Sequence, residues 1–399
     1  MLLACPDCGT AQHVPALRGR GKLLCCRCGN TLERSTGRGM DAPLALSLAT
    51  LLLLFPANLM PLLRVAFDGL SRSSRLGSGV IGMWSEGWLL LAIVVGLQGI
   101  ILPFLRFGML SAVLAAVRFR RQRPWTGRMF RWAEHLDLWA MPDVFLIGAV
   151  IGYSRVAARL PMHIAPGGWC LLAAAGLSML TRATLDRRAV WRRIATPPPP
   201  PPPRDNSIAC IECELILPGS MEGGRCPRCA APLFRRRPFS LVQATALVAA
   251  GYLLYPVANY FPMSIDIQLG ETKRHTIASG VEQLIGAGLW PLAAVIFTAS
   301  IAIPLLKLIG MTWLIWSARR GSPRRLVFKT KLYRVIKEIG RWSNIDIFTI
   351  AIFLPLMQFS GLVSVRAATG APAFLAVIVL TMLAVRVFDP RLIWDHVRS

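Results

Sequence analysis

The chain has 399 residues, 54% of them hydrophobic and only 16% charged, and a mean hydropathy of +0.51. Such a composition excludes an ordinary soluble globular domain, and several apolar runs reach the roughly 20 residues that a bilayer-crossing helix needs. The net charge of +25 raises nucleic acid as a partner, but the placement of the basic residues argues against it.

In chain order, residues 1–40 form a small polar module carrying Cys5-Pro-Asp-Cys8 and Cys25-Cys-Arg-Cys28. Residues 41–195 hold four apolar spans, at roughly 43–63, 88–117, 144–160 and 167–184. Thr196 and the seven prolines 197–203 make a semi-rigid extended linker. Residues 204–238 then repeat the small module, with Cys210-Ile-Glu-Cys213 and Cys226-Pro-Arg-Cys229. Residues 239–399 hold four further spans, at roughly 241–263, 286–317, 345–363 and 371–388.

The register between the copies is constant at 201 residues over a long stretch: Asn58 maps to Asn259, Pro103 to Pro304 and Arg106 to Lys307. After a two-residue slip, Trp139, Asp143 and Phe145 map to Trp342, Asp346 and Phe348. A period of this size marks duplication of a whole module. The expected fold is therefore an all-α polytopic membrane protein of two tandem four-helix transmembrane modules, eight spans in all. Each module is preceded by a small zinc-ribbon-like unit. An even number of spans per copy makes this a parallel repeat.

Alternate loops hold 35 of the 45 Lys and Arg residues. That bias predicts both termini and both Cys-rich modules on the cytoplasmic side, with the basic charge serving topology and lipid headgroups rather than nucleic acid. The N-terminal segment opens on a Cys motif, so no cleavable signal peptide is expected and the first span is the insertion signal. The loop between spans 1 and 2 is rich in Gly and Ser, and its counterpart, Ser264–Leu269 followed by Thr276-Ile-Ala-Ser, alternates like a short strand or hairpin, which predicts a small extracytoplasmic β-element in each half. Spans 2 and 6 are long, and Pro103 and Pro304 predict a matched kink. Residues 329–342 read as an interfacial amphipathic helix.

Two CxxC knuckles supply four thiolates in each small module: Cys5, Cys8, Cys25 and Cys28, then Cys210, Cys213, Cys226 and Cys229. Four sulfur ligands on the reducing side suit a closed, structural Zn2+ site, with iron or unmetallated thiols as the alternatives. Gly9 and Gly29 follow their knuckles, whereas Glu214 and Ala230 stand at the equivalent places in the second module. Cys26 is off the spacing and Cys170 lies within a span. His13 is superfluous beside four cysteines.

Ionisable groups inside spans are costly and are functional candidates by default. Lys307 follows Pro304, and Asp346 opens span 7 beside Ser343. With Ser300 and Thr381 these five form a candidate transport network. The structural alternative has Asp143 and Asp346 capping helices, Lys307 snorkelling, and the hydroxyls bonding their own backbones. Arg106, Asp143, Asn58 and Asn259 are secondary candidates, the asparagines being suited to bonding nearby carbonyls. Gly99 and Ala140 replace Ser300 and Ser343 in the first copy, so the second is the more polar. No catalytic constellation or nucleotide-binding motif assembles, so an enzyme is not expected.

The duplicated CxxC modules, Phe55-Pro-Ala-Asn-Leu-Met-Pro61, Ala258-Asn-Tyr-Phe-Pro262, Trp139-Ala-Met-Pro-Asp-Val-Phe145 and Trp342-Ser-Asn-Ile-Asp-Ile-Phe348 together resemble the paraquat-inducible protein A family. The likeness covers essentially the whole chain. The second copy departs from it in reading Tyr255-Pro-Val-Ala-Asn259, and the proline linker is unusual. The resemblance implies a Gram-negative inner-membrane protein that partners a periplasmic MCE-domain tunnel protein and loads or unloads phospholipids at its base. It further implies that Ser300, Lys307, Ser343, Asp346 and Thr381 stand where the family's candidate proton-coupling cluster would sit. The competing readings are a proton-coupled secondary transporter of a small solute or toxic cation, and a membrane scaffold that works through its zinc modules.

Overall fold

The computed structural model describes residues 2–15, 19–35, 37, 39–67, 70–157, 162–194, 207–268, 271–286, 288, 290–340, 345, 348–349 and 363–397. The proline linker, Ser343, Asp346 and most of the seventh expected span lie outside the described residues.

Helices dominate. In the first half they are α1 (Asp41–Leu59), α2 (Leu76–Ser85), α3 (Leu89–Arg118), α4 (Thr126–Leu136), α5 (Pro142–Ala157), α6 (Pro166–Thr184) and α7 (Arg187–Arg193). The second half has α8 (Ser240–Tyr260), α9 (Ile277–Gly286), α10 (Trp290–Arg319), α11 (Leu326–Ile339) and α12 (Gly370–Val387). Among the described residues, five helices (α1, α3, α8, α10 and α12) are long and apolar enough to cross a bilayer. The chain is thus a membrane protein. Span 4 corresponds to α6, which is followed by α7 at a bend of 65°. The bend falls where Asp186 stops one helix and caps the next by accepting from the Ala189 N–H at 3.0 Å. Span 3 corresponds to α5, whose 16 residues fall short of a full crossing.

The two 30-residue helices α3 and α10 share one irregularity. Each widens to a π-turn, Leu97–Ile101 and Thr298–Ala302, just before Pro103 and Pro304. A proline ring cannot sit against the carbonyl of a regular preceding turn, and the widened turn relieves that clash. At the place of the expected kink, both halves carry this widened turn in an otherwise continuous helix. In the second half the Tyr255 hydroxyl donates to the Ile301 carbonyl of that turn at 3.2 Å.

The expected β-element is larger than a hairpin in each half. Strand β5 (Leu63–Phe67) lies between β6 (Leu70–Ser74) and β7 (Met162–Ile164), all antiparallel. Likewise β10 (Ser264–Gln268) lies between β11 (Glu271–His275) and β12 (Val363–Ala367). The third strand in each case leads straight into α6 or α12, and so fixes where that helix begins. Gly167 N–H donates to Pro61 O at 3.0 Å and Gly370 N–H to Pro262 O at 2.9 Å. A Cβ at these glycines would lie 2.6 Å from Met60 O and 2.5 Å from Phe261 O, which explains the glycines.

The halves meet through equivalent residues. Phe145 of α5 packs on its counterpart Phe348 with ring centroids 5.1 Å apart, and beside it Thr349 Oγ1 donates to Gly148 O at 3.4 Å, a pair two positions out of register. Contact between a residue and its own counterpart is the mark of a two-fold relation.

The cysteine modules do not pack as the tandem order suggests. The first comprises hairpins β1 (Leu2–Ala4)/β2 (Ala11–His13) and β3 (Gly21–Leu24)/β4 (Thr31–Ser35). Its cysteines share a buried cluster with Met311, Leu314, Tyr333 and Trp394 of the second half. The second module is built around β8 (Ser207–Ala209) and β9 (Ile216–Pro218). Its cysteines pack with Leu114, Phe130, Val190 and Trp191 of the first half. Each ribbon therefore docks mainly on the other half's helices.

Gly127 on α4 is where the second ribbon approaches closest, since a Cβ there would lie 1.9 Å from the Arg228 carbonyl. Gly127→Ala is expected to lower stability by about 1–3 kcal/mol through overpacking. Gly176→Ala, inside α6 where a Cβ meets nothing within 4 Å, should instead raise stability by about 0.5–1 kcal/mol. Thermal unfolding of the two variants in the same detergent checks the difference.

Candidate functional site

Both cysteine quartets close into metal-sized clusters. In each, the four sulfurs lie within 4.8 Å of one another and all four residues are buried. Cys5–Cys28 and Cys8–Cys25 stand at 3.5 and 3.6 Å, and Cys210–Cys229 and Cys213–Cys226 at 3.6 and 3.5 Å. A tetrahedral zinc with bonds of about 2.3 Å separates its sulfurs by about 3.8 Å, so the donor sets fit. Hydrogen bonding to Cys28 pushes the Cys5 thiol up, and bonding to Cys210 does the same to Cys213. Four thiolates this close need a cation among them.

Backbone turns shape each knuckle: the N–H groups of Gly9, Gly29, Glu214 and Ala230 donate to Cys5, Cys25, Cys210 and Cys226. Gly9 and Gly29 have φ of 73° and 66°. Glu214 and Ala230 adopt the same left-handed backbone at 58° and 55°, so the turn is kept where the glycine is not. Cys26 is exposed and bonds Gln12, Cys170 is half-buried in α6, and His13 belongs to neither quartet.

Outside the sulfurs, Arg334 of α11 holds the first quartet. It donates to Asp7 at 2.6 Å, to the Cys28 carbonyl at 3.2 Å and to Cys28 Sγ at 3.3 Å. Arg27 stacks over Trp394 at 4.8 Å. On the second ribbon, Glu212 pairs with His135 at 3.4 Å, and Glu214 with Arg188. Burial pushes the His135 imidazole down to about 4, so the neutral ring accepts from Arg386 of α12.

Between the halves, under the two ribbons, lies a cavity of about 920 Å³ lined by both Arg106 and Lys307. In the first half Arg106 is 3% exposed and pairs with Asp137. Arg182 of α6 pairs with Asp137 at 2.8 Å and with Asp143 at 2.7 Å, and donates to Ala140 O at 3.3 Å. Two arginines and two aspartates thus close on one another. Neither Asp137 nor Arg182 stands out in sequence, because both sit beside loops where charge is ordinary. Asp143 serves this ion network.

In the second half Lys307 is 2% exposed, and among the described residues its Nζ has no hydrogen-bonding partner. Ser300 is fully buried in the π-turn of α10. Thr381 Oγ1 donates to Ile378 O at 2.9 Å, while its methyl comes within 3.9 Å of where a Gly251 Cβ would stand. Leu308, the neighbour of Lys307, comes still closer to that point, at 2.8 Å, so Gly251 lets α8, α10 and α12 converge near Lys307. Asn58 and Asn259 each donate to the carbonyl four residues back, Leu54 at 2.7 Å and Tyr255 at 2.8 Å.

A family profile described as paraquat-inducible protein A matches residues 40–195 and 241–398. The chain belongs to that family. It is 31% identical to the Escherichia coli K12 protein named intermembrane transport protein PqiA, over 99% of this chain and 95% of that one. It is 28% identical to the lipophilic envelope-spanning tunnel protein A of the same organism, over 98% and 90% of the two chains. A Haemophilus influenzae relative named probable intermembrane transport protein is 25% identical over 98% and 95%. No solved structure matches the chain. These relatives bear the names of transport proteins, which accords with a family member that is not an enzyme.

Purified protein is expected to carry two metal ions per chain, and stripping them with a strong chelator should lower the thermal midpoint, since ribbons of this size owe most of their folding energy to the metal. Elemental analysis and a melting curve read both. Ala230→Gly should stabilise the metal-loaded protein by about 1 kcal/mol, because it relieves a left-handed backbone carried by a side chain. Chemical denaturation followed at the second ribbon checks the sign.

Proposed function

We propose that this chain is the inner-membrane subunit of an envelope lipid-transport system. In this reading it works with a periplasmic MCE-domain tunnel protein to move phospholipids between the inner and outer membranes. Both termini and both ribbons are cytoplasmic, and the two quartets hold structural Zn2+. The two tandem four-helix modules, residues 41–195 and 239–399, have different jobs: the first is a scaffold and the second the moving part.

The observation that carries this reading is the unequal treatment of the two buried cations. Arg106 is neutralised by a closed ion network, while Lys307 faces the shared cavity next to a π-turn that holds Ser300. A buried ionisable group in a span is expensive to keep and is retained where it works. Ser343 and Asp346 complete the proposed network with Ser300, Lys307 and Thr381. The full-length relation to proteins named for intermembrane transport supports the transport part of this reading.

Lys307→Ala and Asp346→Ala are each expected to cut lipid transfer at least tenfold with protein levels unchanged. Outer-membrane sensitivity to detergent in a complemented deletion strain, together with transfer of labelled phospholipid between reconstituted membranes, reads the effect. Full activity of both variants would falsify the network. Proton-coupled solute flux in liposomes without any partner would favour the secondary-transporter reading instead.

A further inference from the structure

The register that aligns the halves puts specific residues at the places of the first-half ion network. With the two-residue slip, Trp139 maps to Trp342, Phe145 to Phe348 and Gly167 to Gly370. The structure supports that register, because Phe145 meets Phe348 and both glycines make the same bond to a proline carbonyl. By the same shift of 203, Asp137 maps to Gly340 and Arg182 to Val385. The carboxylate that holds Arg106 and the guanidinium that ties Asp137 to Asp143 are thus both missing from the second half. Val385 can bind no carboxylate.

The backbone at Gly340 does not require a glycine, and among the described residues nothing crowds the place of a side chain. Its φ and ψ are −52° and −35°, a helical conformation open to any L residue. Among the described residues, the one atom within 4 Å of a Cβ built there is Lys307 Nζ, at 4.0 Å. A glycine at a buried helix end, in a conformation that does not need it, costs chain entropy without steric return. What a side chain at this place would meet is the lysine ammonium.

We propose that Gly340 keeps Lys307 unclamped. It withholds the carboxylate that Asp137 gives to Arg106, and so leaves the ammonium turned to the cavity and able to exchange partners there. Gly340 is a positioning residue, acting through Lys307. Its importance for transport rests on the reading of Lys307 given above, but its effect on the lysine does not.

The test is acylation of Lys307 by a small amine reagent, acetic anhydride, in the full zinc-loaded chain in lipid nanodiscs, quantified by peptide mass spectrometry. Gly340→Asp should slow labelling at least fivefold, while Gly340→Asn and Gly340→Ala stay within twofold of the parent. The proposal is overturned if Gly340→Asp labels like Gly340→Asn, if Ala slows labelling as much as Asp, or if the parent lysine is not labelled at all. Should Gly340→Asp fail to fold, the mirror experiment decides. A lysine introduced by Arg106→Lys should label slowly, and at least fivefold faster when Asp137→Gly is added; equal rates overturn the proposal. Lipid transfer by the same proteins separates the two ideas. A slowly labelling Gly340→Asp protein that still transfers lipid leaves the clamp standing and removes Lys307 from transport.

Discussion

A cation placed inside a bilayer must be met by an anion, by water or by a ligand, and this requirement organises the molecule. The first half meets it internally: Arg106, Asp137, Arg182 and Asp143 come from three helices and the turn after α4, and they close on one another. Such a network ties α3, α5 and α6 together, since removing Arg182 would leave Asp143 buried without its guanidinium, and removing Asp137 would take the carboxylate from Arg106. The second half keeps the buried cation and omits the arginine and one of the aspartates. What remains there is a lysine facing a cavity, a buried serine in a widened turn, and a tyrosine hydroxyl that takes up one of that turn's carbonyls.

The ribbons lie over the same cavity, and their crossed docking links the two halves. Arg334 reaches a sulfur of the first cysteine quartet from a helix of the second half. Gly127 of the first half accepts the backbone of the second ribbon at a distance no side chain tolerates. A ligand sulfur bonded from outside is oriented and stabilised by that donor. A metal held by either quartet would therefore be coupled to the packing of the two halves.

Much of this was legible in the sequence. The cysteine spacings specified both quartets, and the 201-residue register specified the matched prolines and helices. Three things were not legible. A π-turn is a response of backbone to proline, and hydropathy gives no sign of it. The third strand of each sheet pairs across more than ninety residues, and short strands such as Met162–Ile164 carry no periodicity of their own. Asp137 looked like an ordinary loop charge and Arg182 like a boundary charge at the end of span 4, because neither position says which buried group a side chain will reach. The crossing of the ribbons was hidden for a related reason: a duplicated sequence specifies two equal surfaces without saying which partner each one takes.

That crossing bears on ancestry. Take one copy of the repeat alone, with this packing, and its ribbon loses its main seat unless a second copy supplies it. A single-copy forerunner would have been an obligate homodimer that exchanged ribbons across its two-fold axis. Fusion of the two genes freed each interface to drift separately. One half could then keep its charges locked while the other lost them, an inequality that no symmetric dimer can encode.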